Sequence, residues 1–189
     1  MAEKPLEGMR VAILATDLFE EAELVKPREA LQQAEARTTV IAPKQGEIQG
    51  VQHDKKTQKV HVDMTLDQAK PDEFDAVLIP GGAMNADALR MEKKAQEFVK
   101  ALDQKGKPIA VICHGPWLLV SAGLVKGRHM TSYYTIQDDL KNAGAVWTDQ
   151  ASVRDRNWVS SRKPDDIPQF NREMLKLFSE TWQQSHKAA

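Results

Sequence analysis

The stretch Pro-Ile-Ala-Val-Ile-Cys-His-Gly-Pro-Trp-Leu-Leu, residues 108–119, joins an apolar β-branched run to a run of helical character. The first half reads as a strand buried on both faces, and the second as the helix that leaves it. Cys113, the only cysteine of the 189-residue chain, stands at the junction. A thiol placed there faces the free N–H groups and positive dipole end of the helix, which favour the nucleophilic thiolate. Gly115 lets the backbone turn tightly and approach a reacting group, and Pro116 suits a first helical turn, where its missing N–H costs little. This is the cysteine counterpart of a strand–turn–helix nucleophile elbow. His114 follows directly and is a candidate base. Outside this context a lone cysteine after an apolar run would read as a small buried hydrophobe. The helix-opening Cys-His-Gly-Pro favours the nucleophile.

Outward from this stretch, apolar strands alternate with helices. Arg10–Thr16 reads as a buried strand, and Glu21–Ala36 as a helix interrupted by Pro27. Thr38–Ala42 is a second strand, Pro43–Gly50 a turn-rich segment, and Val51–Asp63 a small hairpin or edge strands. Asp75–Pro80 is a third buried strand closed by Gly81-Gly82. A helix is expected over Asp87–Gln104, the Cys113 strand over Ile109–Cys113, and its helix over Gly115–Ala122. Ser132–Ala143 predicts another helix ended by Gly144. Ser152–Ser161 has the look of a hairpin, and an amphipathic helix runs from about Pro164 to Trp182. The alternation implies an α/β fold with a mostly parallel sheet covered on both faces. Ligands of such sheets sit beyond the carboxyl ends of the strands. That rule gathers Thr16–Glu23, Pro80–Asp87, Cys113-His114 and the Thr131–Tyr134 region at one edge.

The length suits one domain spanning residues 1–189, large enough for a substantial core. A net charge of −1 with 28% charged residues shows no basic excess for nucleic acid and no polybasic patch for a membrane. The apolar runs are too short to span a bilayer, and Met1–Gly8 has no signal-like apolar core. A single thiol fits a reducing compartment, so a cytoplasmic protein is expected. His53, His61, His129 and His186 lack paired ligand spacing, which argues against a zinc site. No phosphate loop or GxGxxG is present, so no cofactor is expected.

Taken together, Phe-Glu-Glu-Ala-Glu-Leu (19–24), Asp-Ala-Val-Leu-Ile-Pro-Gly-Gly (75–82), Ala-Val-Ile-Cys-His-Gly-Pro-Trp (110–117) and Thr-Ser-Tyr (131–133) resemble PfpI-type proteins of the DJ/PfpI superfamily. Asp-Leu-Lys-Asn-Ala-Gly-Ala (139–145) and Ser-Arg-Lys-Pro-Asp-Asp-Ile-Pro (161–168) fit as well, so the resemblance covers nearly the whole chain. These proteins are relatives of the class I glutamine amidotransferases. The resemblance implies a flavodoxin-like three-layer sandwich with the cysteine on a strained elbow. It implies that Glu23 contacts the sulfur, with Glu20 a second acidic position nearby. Glu20, Glu21 and Glu23 could equally be solvated charges favouring the first helix turn, a reading the resemblance weakens for Glu23. It further implies that His114 pairs with an acid from a neighbouring subunit, for which Asp87 is the match. The active unit would then be a homo-oligomer, a dimer or a hexamer. Aspartate is shorter than the glutamate often found there, and Asp87 could instead cap its helix. Backbone N–H groups at Gly81-Gly82 and at His114 are the implied oxyanion donors. An ordinary strand-ending turn is the competing reading of the two glycines.

The leading functional expectation is a cysteine-dependent enzyme of stress protection acting on small carbonyl compounds such as methylglyoxal, as a glyoxalase or deglycase. Cys113 would add to the aldehyde, and Glu23 or His114 would carry the proton. One alternative is a peptidase acting on peptide substrates through Cys113, His114 and a partner-supplied Asp87. The other is a redox sensor or chaperone without turnover.

Overall fold

Ala76–Ile79 and Ile109–Ile112 are buried at every residue, and Val11–Leu14 likewise, so these strands must be covered on both faces. The computed structural model describes residues 5–187. In chain order the elements begin with β1 (Arg10–Leu14), β2 (Phe19–Glu20), α1 (Glu21–Gln33), β3 (Arg37–Ala42), β4 (Gly46–Gln52), β5 (Lys55–Val62) and β6 (Met64–Thr65). Next come β7 (Ala76–Ile79), α2 (Ala83–Leu89), α3 (Lys93–Gln104), β8 (Ile109–Ile112), α4 (Pro116–Ser121) and β9 (His129–Met130). The chain continues through α5 (Gln137–Asn142), β10 (Val146–Trp147), β11 (Ser152–Asp155), β12 (Trp158–Ser161) and α6 (Ile167–Lys187).

Seven strands form one sheet in the order β11-β12-β8-β7-β1-β3-β6. Its pairings are parallel except at the β11–β12 hairpin. Alternate residues of β1 point to opposite faces, as a pleated strand requires. Val11 and Ile13 pack with Leu24 and Leu31 of α1 and with Phe170, Met174 and Phe178 of α6. Ala12 and Leu14 join the opposite layer, with Phe98 and Leu102 of α3, Leu118 of α4 and Leu140 of α5. The result is the expected three-layer flavodoxin-like sandwich.

Several local expectations need correction. The segment expected to be turn-rich before Gly50 is strand from Gly46, because β4 pairs with β5 and also with β2 to make a separate three-stranded sheet. The helix expected over Asp87–Gln104 is two helices: α2 starts directly after Gly82, and α3 begins at Lys93. Asp87 therefore lies inside α2, exposed, and caps nothing. The helix expected from Ser132 begins only at Gln137, after a 3-10 turn at Tyr134–Ile136. Ser132 is instead fully buried, its hydroxyl donating to the Tyr133 carbonyl and accepting from Trp147 Nε1. Gly144 ends α5 with φ +93°, as its position implied. The last helix continues beyond Trp182 to Lys187. Among the described residues no helix is long and apolar enough to cross a membrane.

Candidate active site

The carboxyl ends of β1, β7 and β8 open into a cleft of about 1140 Å³ whose wall includes Glu20, Glu23, His53, Gly82, Cys113, His114, Tyr133 and Lys163. Cys113 ends β8 in a left-handed conformation, φ +63°, which a non-glycine residue adopts only under constraint. The constraint is visible on both sides of the residue. Its N–H donates to the Ser161 carbonyl at 3.1 Å, and its carbonyl accepts from the Tyr133 N–H at 2.9 Å. The unusual angle thus belongs to Cys113 itself. Gly115 has an ordinary φ of −49° and serves close packing instead, since a Cβ there would lie 2.9 Å from the carbonyl oxygens of Ile112 and Ile79.

Glu23 is completely buried in the first turns of α1. One carboxyl oxygen, Oε2, accepts the Gly81 N–H at 2.8 Å. The other, Oε1, is buried without a hydrogen-bond partner. The Glu23 and Cys113 side chains are close enough to perturb each other, although their contact falls short of full hydrogen-bond geometry. Burial, then the charge of Glu20, push the Glu23 carboxyl up to about 8. Cys113 is pushed well above the usual thiol range, first by burial and then by charge on Glu23. The backbone N–H groups of Gly82 and His114 oppose this by hydrogen-bonding the sulfur. The helix-end effect expected from sequence is therefore outweighed in this site by desolvation. The two acids nevertheless cooperate. With its proton on, Glu23 carries no charge to repel a thiolate, and its O–H can donate toward the sulfur. A sulfur and a carboxyl share one buried place, and one negative charge suits it better than two.

The structure brings together Cys113, His114, Glu23, Glu20, Gly82 and Gly115. His114 Nδ1 lies 3.1 Å from the Cys113 sulfur. Its ring stacks on Tyr133, 4.8 Å between centroids, and meets Trp117 edge-on at 5.3 Å. Burial lowers the His114 pKa, so the imidazole is neutral at neutral pH and able to accept a proton. Among the described residues no carboxylate bonds its ring, and Asp87 is not part of the cleft wall. The glycine pair divides its labour. The Gly81 N–H is already committed to Glu23, which leaves Gly82, φ +91°, to face the sulfur.

Glu20 is buried and accepts the His53 N–H at 3.1 Å, so its carboxylate anchors the β4–β5 turn. Three contributors escaped the sequence reading. The β4–β5 turn brings His53 to the cleft, and the chain after β12 brings Lys163. Both depend on pairings between distant segments. Asn85 is fully buried and accepts the Thr16 N–H at 2.7 Å while donating to the Gly81 carbonyl at 2.9 Å. An amide can do both at once, and a lone Asn just after Pro-Gly-Gly was the available signal. Among the described residues no group of three His, Cys, Asp or Glu side chains is placed to hold a metal ion.

The model of the DJ-1/PfpI family matches residues 9–177. Deglycase PfpI of Pyrococcus furiosus is 42% identical over 169 residues, 89% of this chain and 99% of its own. General stress protein 18 of Bacillus subtilis is 41% identical over 172 residues, 90% of this chain and 98% of its own. A two-domain protein from Anabaena variabilis, with DJ-1/ThiJ/PfpI-like and ferritin-like domains, superposes with a TM-score of 0.83 at 34% identity. That match covers 89% of this chain and 47% of the Anabaena chain.

Proposed function

The chain belongs to the DJ-1/PfpI family, and on that premise we propose that it is a cysteine-dependent deglycase of stress protection, acting on adducts of small dicarbonyls such as methylglyoxal. The observation that carries the reading is the buried Glu23–Cys113 pair: a carboxyl raised to about 8 beside a sulfur on a strained elbow. An acid whose pKa lies near the working pH can both give and take a proton during turnover.

His114 takes the Cys113 thiol proton as the sulfur bonds to the carbon of a hemiaminal, and the amine leaves with a proton from Glu23. This yields a hemithioacetal. His114 or Glu23 then moves the proton from the former aldehyde carbon to the neighbouring carbonyl carbon, while the hydroxyl proton passes to the neighbouring oxygen, giving a thioester of the hydroxy acid. Water cleaves the thioester, which releases lactate and restores the thiol. The net reaction is adduct plus water to amine plus lactate. The N–H groups of Gly82 and His114 are the donors for the oxyanion formed when the sulfur adds to a free aldehyde and when water adds to the thioester. Free methylglyoxal enters the same sequence at the first addition.

Asp87 takes part in this proposal only through a second copy of the chain. In a homo-oligomer whose interface covers α2, it would reach the His114 ring and orient it. The protein is expected to work in the cytoplasm, where a lone thiol stays reduced.

The test follows release of free amine and lactate from a methylglyoxal-treated amine, alongside the spontaneous reversion of the adduct. Cys113→Ser should abolish release above background. Asp87→Ala should slow it by about a hundredfold, the low end of effects on acid–base machinery. Lactate formed no faster than the adduct reverts would reduce the activity to removal of free dicarbonyl. No lactate at all, with peptide cleavage, would replace the proposal by hydrolysis.

A further inference from the structure

Glu20 ends β2 as the N-cap of α1 and Glu23 lies in the first turn of that helix; the Glu20 N–H and the Glu23 carboxyl both bond Gly81, and both side chains line the cleft. Both are buried. Carboxylates that close repel, and neither has a cation hydrogen-bonded or ion-paired to it among the described residues. The fold nevertheless stitches Glu20 in place from three directions. Its N–H donates to the Gly81 carbonyl at 3.2 Å, its strand position pairs with Val51, and its Oε2 accepts the His53 N–H at 3.1 Å. The like charge is thus held against Glu23 by the same bonds that fix the cleft wall.

We propose that Glu20 is a positioning residue with two separable duties: its carboxylate sets a like charge beside the buried Glu23 carboxyl, and its oxygen anchors the His53 turn as one wall of the cleft. This deepens the deglycase proposal and rests on Glu23 as its proton carrier. The other titratable groups that face Glu23 are Cys113 and Tyr133, both coupled to it. The cleft also holds Glu21, Lys26, His53, Asp54, Lys56, His114, Lys163 and Asp165. Glu21 is tied to the Gln58 N–H, and Lys163 lies 3.7 Å from Asp165. Burial and the Glu20 charge are the two largest causes of the raised Glu23 carboxyl, which is consistent with the geometry.

Glu20→Gln keeps an oxygen for His53 and removes the charge, while Glu20→Ala removes both. The measurement is infrared titration of the Glu23 carboxyl in the resting protein, isolated by subtracting the spectrum of Glu23→Gln. The midpoint should fall by about one pH unit in Glu20→Gln, the scale of a close like charge. Its KM for the adduct should stay native, whereas Glu20→Ala should combine the lowered midpoint with a KM raised several-fold. Glu20→Asp keeps the charge and should keep the midpoint. A native midpoint in Glu20→Gln would overturn the proposal, and so would a lowered midpoint in Glu20→Asp, the variant that decides if Glu20→Gln does not fold. Because the titration uses no substrate, failure of the deglycase activity would leave its result intact and distinguishable.

Discussion

Strand β8 runs between a partly buried polar cluster and a buried one that treat charge in opposite ways. At its amino end, Asp103 Oδ1 accepts from Arg128 Nη2 at 2.8 Å, Asn157 Nδ2 at 3.0 Å and Trp158 Nε1 at 2.7 Å. Arg128 also lies over the Trp158 ring, 4.1 Å from its centroid. Asn157 closes the cluster by donating to the Lys107 carbonyl at 2.9 Å. At the carboxyl end of the same strand, Glu23 keeps a buried oxygen without a partner and Cys113 is held at a positive φ. A satisfied network fixes a core, whereas an unsatisfied one stores reactivity. The first cluster serves stability. The second gives up some stability for chemistry.

That contrast can be broken by substitution. The largest effect on stability is expected from Asp103→Ala, which leaves Arg128 buried without its carboxylate and should cost roughly 3–5 kcal/mol. Turnover per folded molecule should stay near native, as chemical denaturation and active-site-normalised assays would show. Loss of turnover in the folded fraction would mean that the two ends of β8 are not independent. Gly81→Ala should cost less, about 1–3 kcal/mol as overpacking does. Its Cβ would land on Glu23 Oε2 and lie 2.6 Å from Cys113 Cβ, so turnover should collapse. A Gly81→Ala protein with native rates would show that the pair tolerates displacement and is not finely placed.

The same contrast explains what was legible in the sequence. The elbow was readable because one unbroken segment carries strand, nucleophile, glycine and helix. The central strands were readable because burial on both faces leaves continuous apolar runs, as in Ala76–Ile79 and Ile109–Ile112. Strand β4 was not, since Gly46 and Gly50 look like turn residues until β2 and β5 pair with it. The division at Arg90–Glu92 was hidden because both flanking segments carry helical patterns. Cys113, His114 and Glu23 were named through motif and resemblance, and the structure brings them into one cleft. The upward push on the thiol was invisible, because desolvation depends on what packs around a residue and not on its neighbours in sequence. The Asp103 cluster was missed for a related reason. Its members come from three separated segments, around 103–107, 128 and 157–158, and none bears a motif.

Glu23 is buried as an acid and stays protonated at neutral pH. Raising a carboxyl from 4.5 in the unfolded chain to about 8 in the fold makes the folded state bind more protons over that interval. This contribution to stability is full below about pH 4.5 and is lost as pH climbs through about 8. Glu23→Gln mimics the protonated form and cannot ionise. The direct measurement is the unfolding free energy of both proteins from pH 5 to pH 9. With Cys113→Ser as a shared background to silence the thiol, the two should nearly coincide at the acid end and Glu23→Gln should gain a growing advantage toward alkaline pH. Parallel curves, or a native protein that gains on the variant as pH rises, would contradict a Glu23 buried as an acid.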